Sequence, residues 1–209
     1  MSFMPADVYL YFFDMEDKRS TDEKITAAAE HYAGTAEIPT LRSDEIHRTE
    51  RGKPCFSHHP HVGLSVSHSG AFFVCALTRG LVGVDLEQHK LLPGETFGEA
   101  EERLCRLAHR FFHEEEAGYI KDDPWSRFYR VWTAKESYVK LTGDGIDDRF
   151  SAFSVLPHAD KSSLERSEDS FIGWNGSGIY FRQGLFAGNY TLCVCKQEPF
   201  RVVFAEGPF

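Results

Sequence analysis

The chain is 209 residues long, 42% hydrophobic and 26% charged, with a formal net charge of −9. That length supports one large domain or two small ones around a real core, and the acidic balance argues against a nucleic-acid partner, whose binders carry a basic face. No stretch reaches the ~20 consecutive apolar residues of a membrane span.

The first residues have no basic start, and Asp7 interrupts their apolar run, so they do not read as a signal peptide. The five cysteines fall at irregular spacings, which suits reduced thiols in the cytoplasm. Asp7–Phe13 reads as a strand. Thr21–Tyr32 reads as a helix that Gly34 would stop. Gly63–Ser67, Ala71–Thr78 and Leu81–Glu87 read as three strands separated by Ser-Gly and Arg-Gly turns. Gln88–Phe97, with Pro93-Gly94, is the best boundary, giving halves of 1–92 and 93–209.

The second half opens with a helix over Glu99–Arg110, whose Leu104, Leu107 and Ala108 share a face. Pro124–Leu141 reads as a longer helix. Asp123 would cap it, Pro124 fits its first turn and Gly143 ends it. From Phe150 to Phe204, apolar runs alternate with Gly-rich turns and read as strands. Each half is thus strand, helix, then antiparallel strands, which places the chain in the α+β class.

Two carboxylates stand out first. In a strand, residues two apart share a side, so Val82, Val84 and Leu86 would face the core while Gly83, Asp85 and Glu87 face the other way. Hard oxygen donors arranged like this suit Mg²⁺, although a half-exposed edge strand shows the same alternation. On the long helix, Glu136 and Lys140 are four apart and share a face. They fit either a surface ion pair or a metal and phosphate contact. Lys135 lies about 100° away on another face. Ser67-His68-Ser69-Gly70 closes a strand with a polar tip, and Gly52-Lys53-Pro54 fixes a cation in a rigid turn. Cys55, His58, His59, His61 and His68 lack the paired spacing of a structural zinc site. Neither a dinucleotide loop nor a P-loop is present.

In order, Gly52-Lys53-Pro54, Ser67-His68-Ser69, Gly83-Val84-Asp85-Leu86-Glu87, Arg110-Phe111-Phe112 with Glu116, Trp132 to Lys140 (W-T-A-K-E-S-Y-V-K) and Gly143-Asp144-Gly145 form a series. This series resembles the Sfp-type 4′-phosphopantetheinyl transferases. The resemblance implies two similar α/β subdomains in a pseudo-twofold arrangement, with coenzyme A in the cleft between them. It implies transfer of the 4′-phosphopantetheine group from coenzyme A to a serine of an apo acyl carrier protein or a peptidyl or aryl carrier domain, releasing 3′,5′-ADP. Asp85, Glu87 and Glu136 would hold Mg²⁺. Lys53, within its Gly52/Pro54 turn, would sit near the adenine. Ser67 and His68 would contact phosphate and Lys140 the pyrophosphate. Glu136 is the leading base for the serine proton and His68 its rival. A cytoplasmic monomer is expected, with no membrane or nucleic acid involved.

The chain departs from that family in two places. The basic stretch before the Gly-Lys-Pro turn is short and mixed, leaving Arg48 and Arg51, and behind them Lys18 and Arg19, as candidate partners of the 3′-phosphate. Asp144 also stands where a lysine is common. The segment His113–Lys121 is expected to dock the carrier through Tyr119 and Ile120.

Overall fold

The structure is a computed structural model, and it describes residues 6–36, 41–42, 45–143, 148–157, 172–176 and 178–205. Asp144 and Gly145 lie outside the described residues. Two four-stranded sheets form the centre. The first has the order β10-β1-β5-β4, from β1 (Ala6–Asp14), β4 (Val62–Ser69), β5 (Phe72–Arg79) and β10 (Phe200–Phe204). The second has the order β6-β9-β8-β7, from β6 (Gly83–Gln88), β7 (Ile172–Gly176), β8 (Ile179–Phe186) and β9 (Tyr190–Lys196). Among the described residues, all pairings in these sheets are antiparallel except β1 with β10. Two strands cross the expected division between residues 92 and 93: β6 pairs with β9 in the second sheet, and β10 returns to pair with β1 in the first.

Strand alternation builds the layers. Val8, Leu10, Val74 and Ala76 of the first sheet pack against Val84, Leu86, Leu192 and Val194 of the second. The opposite parity of the first sheet, with Tyr11, Phe13, Phe73, Cys75 and Leu77, packs on helix α1 (Thr21–Ala36) through Ile25, Ala28, Ala29 and Tyr32. The opposite parity of the second sheet, with Phe181, Cys193 and Cys195, packs on the helical layer of α2 (Phe97–Phe111), α3 (Glu114–Ile120) and α4 (Pro124–Thr142). The result is helix, sheet, sheet, helix. No helix is long and apolar enough to cross a membrane among the described residues.

Local signals explain where the helices begin and end. Thr96 caps α2 in a reciprocal box with Glu99. Asp123 accepts from the Ser126 N–H, Pro124 occupies the first turn of α4, and Gly143 ends it at φ 78°, where a side chain would be strained. α1 runs past Gly34 to Ala36, because a helical glycine costs only about 1 kcal/mol. Two elements carry too weak a local signal to be read from sequence: the hairpin of β2 (Ile46–Arg48) and β3 (Pro54–Phe56), with three residues per strand, and the seven-residue α3.

Candidate active site

The site forms where β4, β6 and α4 meet. β6 places Asp85 and Glu87 on its α4 side, while Val84 and Leu86 enter the core between the sheets. Gly83 makes the approach possible. A Cβ there would stand 1.8 Å from the Ser137 carbonyl oxygen and 2.8 Å from the Leu141 nitrogen, so only glycine lets α4 lie this close to the strand. The close packing brings Lys140 against Asp85, with Nζ 2.6 Å from Oδ1.

β4 is held to β6 by side chains. The hydroxyl oxygens of Ser65, Ser67 and Ser69 accept from the β6 N–H groups of Val84 (3.1 Å), Leu86 (3.3 Å) and Gln88 (3.0 Å). Ser67 also donates to Asp85 Oδ1 at 2.8 Å and accepts from Lys140 Nζ at 2.9 Å. Ser69 donates to Glu87 Oε2 at 3.1 Å, and the Trp132 indole also bonds to that carboxylate.

The carboxylates act on one another. Burial, then the charge of Asp85, raises Glu87 above its ordinary value. Burial raises Glu136 to about 7, with further upward pushes from Asp85 and Glu87 that Lys140 opposes. Asp85 is buried, yet among the described residues its Oδ2 has no hydrogen-bond partner. An orphaned carboxylate oxygen beside two carboxylates driven toward protonation is an oxygen-donor set that a hard divalent cation fits. Among the described residues, no three His, Cys, Asp or Glu side chains are gathered closely enough to hold a metal ion by themselves. Mg²⁺ sites commonly use one or two carboxylates, completed by substrate phosphates.

Beside this cluster opens a cavity of about 280 Å³, lined by Arg51, Gly52, Lys53, Pro54, Ser65, Val66, Glu136, Val139, Lys140 and Gly143. Its walls carry three cations against one carboxylate. Lys53 crosses from the β3 turn to α4, donating to the Leu141 carbonyl at 3.1 Å, and burial lowers its pKa.

Most of the sequence candidates converge on this region, and some do not. Gly52, Lys53, Pro54, Glu136 and Lys140 line the cavity, and Ser67, Asp85 and Glu87 lie beside it. The Ser67 hydroxyl is fully engaged by Asp85, Lys140 and the Leu86 N–H, so a phosphate contact would have to displace one of them. His68 lies between two serines that face β6, so it points to the other side of β4, where it is exposed. The structure does not bring it to the carboxylates. Arg48 pairs with Asp22 at 2.6 Å, and Arg19 is bound to Asp17 through two guanidinium nitrogens. Lys18 is exposed and away from the cavity lining, which leaves Arg51 alone of the four candidate cations on its wall.

The two docking contacts expected in His113–Lys121 are overturned. Tyr119 is 7% and Ile120 0% exposed, and both belong to the core under α4. The apolar positions of that segment are the inner face of α3, too short a helix to announce its period. Sequence reasoning named Ser69 in the polar tip of the strand but missed Ser65. The S-x-S-x-S alternation in an otherwise apolar strand was the available signal.

The architecture is that of an α+β protein whose cationic cavity and carboxylate cluster suit a phosphate-rich ligand. Residues 81–195 match the family model of the 4′-phosphopantetheinyl transferase superfamily. The chain is 30% identical over 154 residues to the 4′-phosphopantetheinyl transferase Sfp of Bacillus subtilis (strain 168), covering 72% of this chain and 62% of that protein. It is 34% identical over 155 residues to the 4′-phosphopantetheinyl transferase ffp of Bacillus subtilis, with the same coverage of 72% and 62%. It is 36% identical over 112 residues to the L-aminoadipate-semialdehyde dehydrogenase-phosphopantetheinyl transferase of Xenopus laevis, covering 48% of this chain and 36% of that protein. The chain belongs to the 4′-phosphopantetheinyl transferase superfamily. It spans less than two thirds of the length of these relatives.

Proposed function

We propose that the protein transfers the 4′-phosphopantetheine group of coenzyme A to a serine hydroxyl of an apo acyl, peptidyl or aryl carrier protein, with Mg²⁺, releasing 3′,5′-ADP. The observation that carries this reading is the meeting of Asp85, Glu87, Glu136 and Lys140 beside a cavity walled by Arg51 and Lys53. The family relationship supports it.

In this reading Asp85, Glu87 and Glu136 would hold Mg²⁺, which when bound neutralises phosphoryl oxygens and lowers the barrier to displacement at phosphorus. The carrier serine oxygen forms a bond to the phosphorus bearing the pantetheine arm, and the bond from that phosphorus to the oxygen bridging the two phosphates breaks. 3′,5′-ADP takes the bonding pair. Lys140 leaves Asp85 to meet the negative charge growing on the departing phosphate, an electrostatic contribution of the kind that dominates phosphoryl transfer. Glu136 accepts the serine proton directly or through a water, the role of a general base placed beside the reacting hydroxyl. His68 stands apart from these groups and receives no proton here. The Lys53 turn holds the adenine end, and Arg51 faces the 3′-phosphate. The two sheets, each with helices on its outer face, are read as the pseudo-twofold halves of a cytoplasmic monomer that needs neither membrane nor nucleic acid.

Mass spectrometry of apo carriers incubated with pure protein, coenzyme A and Mg²⁺ tests this. A phosphopantetheine mass gain matched by 3′,5′-ADP is expected. Release of 3′,5′-ADP without a carrier would make the protein a hydrolase instead, and no release at all would make it a binder.

A further inference from the structure

Ser65, Ser67 and Ser69 stand at alternate positions of β4 and use their hydroxyl oxygens alike, each accepting one N–H from β6. A serine hydroxyl also has one proton to give. Ser67 gives its proton to Asp85 and Ser69 gives its to Glu87. The same two-residue step sets Ser65 opposite Gly83, which has no side chain. Among the described residues, the Ser65 proton therefore has no acceptor. Ser65 is only 2% exposed, yet it lines the cavity in company with Arg51, Lys53 and Lys140.

We propose that Ser65 is a ligand-binding residue of this cavity, donating its proton to a phosphate oxygen of the bound donor. The inference rests on the functional reading above. Three cations on the wall select an anionic ligand rich in acceptors. A hydroxyl already anchored through its oxygen to the Val84 N–H loses little rotational freedom when it donates. A buried hydroxyl proton with nothing to bind is costly, and a phosphate oxygen removes that cost. Of the three serines, the two beside carboxylates serve the protein's own side chains and the one beside glycine serves the ligand.

Calorimetric titration of coenzyme A, in EDTA and again with Mg²⁺, tests the assignment on the unmodified protein and on Ser65→Ala, Ser65→Thr and Ser69→Ala. Ser69 makes the equivalent bond across the seam but does not line the cavity. Loss of one charge-assisted bond predicts coenzyme A binding ~10- to 100-fold weaker in Ser65→Ala. Ser69→Ala in EDTA and Ser65→Thr should both stay within about threefold of the unmodified protein, well under one such bond. Unchanged affinity in Ser65→Ala overturns the inference. So does equal weakening by Ser69→Ala in EDTA, which would make the serines a structural seam alone, and so does a Ser65→Thr loss as large as that of Ser65→Ala. If the unmodified protein fails to bind coenzyme A under both conditions, the functional reading falls and takes this inference with it.

Discussion

Helix α4 holds two lysine–carboxylate pairs five residues apart, and they are opposites. Lys135 meets Glu116 at 2.8 Å with both side chains 0% exposed. Every group there is used. Glu116 accepts from the Val155 and His113 N–H groups, and Lys135 also donates to the Phe153 carbonyl and sits over the Phe153 ring. Lys140 meets Asp85 at 2.6 Å with side-chain exposures of 28% and 4%, and Asp85 keeps one oxygen without a partner among the described residues. The first pair is closed on all sides and fastens α3, α4 and the 150–155 segment together. The second is open toward a cavity and two further carboxylates. Within the string K-E-S-x-x-K, unfilled valences thus mark the pair open to chemistry, and proximity alone does not separate it from the structural pair.

Breaking the closed pair should give the largest effect. Burial pushes Glu116 up and Lys135 down, each overriding the partner's opposing charge. Removing one partner strands the other as a buried charge, at ~3–5 kcal/mol out of a typical ~5–15. Urea unfolding of Lys135→Ala should show that loss, and the pair of changes Glu116→Leu with Lys135→Met should recover most of it. A Lys135→Ala protein as stable as the parent would mean the pair is not closed.

The open pair should behave the other way. Asp85→Asn removes a charge that pushes both Glu87 and Glu136 upward, so the melting temperature should hold or rise. Carrier modification should fall ~10²–10³-fold, a few kcal/mol of lost phosphoryl stabilisation. Chelation of Mg²⁺ from the unmodified protein should abolish turnover and leave the urea midpoint in place. Full activity of Asp85→Asn would remove the carboxylate cluster from the reaction.

A third test acts on the spacing that creates the open pair. Gly83→Ala puts a methyl 1.8 Å from the Ser137 carbonyl oxygen. Neither backbone can yield cheaply, so α4 must move outward, at ~1–3 kcal/mol. Lys140 and Glu136 move with it, and activity should fall further than stability does. Equal losses in both would mean that the helix position is not what sets the chemistry.

The sequence carried whatever depends on near neighbours. The parity of Val84, Asp85, Leu86 and Glu87 follows from the strand period. Asp123, Pro124 and Gly143 mark both ends of α4, and the motif order gave the family. What stayed illegible depends on distant pairing. β1 with β10 joins residues 6–10 to 200–204, and β6 with β9 joins 83–88 to 190–195, and no local pattern announces either. Glu116 was visible as a motif member, but its bond to Lys135 needed α3 folded against α4. Tyr119 and Ile120 looked like a contact surface because a short helix shows its buried face without a full period to identify it. Ser67 is a phosphate contact by family resemblance, but its three bonds within the protein depend on α4 and β6 folding against β4.

The smallest expected effect separates the cavity cations from one another. Lys140 and Lys53 each have a bond to the protein, to Asp85 and to the Leu141 carbonyl, whereas Arg51 stands exposed at the rim of the same cavity. Arg48 and Arg19 are committed to Asp22 and Asp17. If Arg51 is the residue facing the 3′-phosphate, coenzyme A should be preferred over 3′-dephospho-coenzyme A by one charge-assisted contact, which contributes ~1.5–3 kcal/mol. Solvent screening at an exposed site favours the low end, about tenfold and below ~10²-fold. Comparing kcat/KM for the two donors with one carrier measures the preference. Arg51→Ala should bring the ratio close to one by slowing only the reaction of coenzyme A, and Arg51→Lys should restore part of it. An Arg51→Ala protein that keeps the parent's ratio would assign the 3′-phosphate to another cation. A parent ratio above ~10³, more than one exposed contact can supply, would require Arg48 or Arg19 to leave its aspartate when the donor binds.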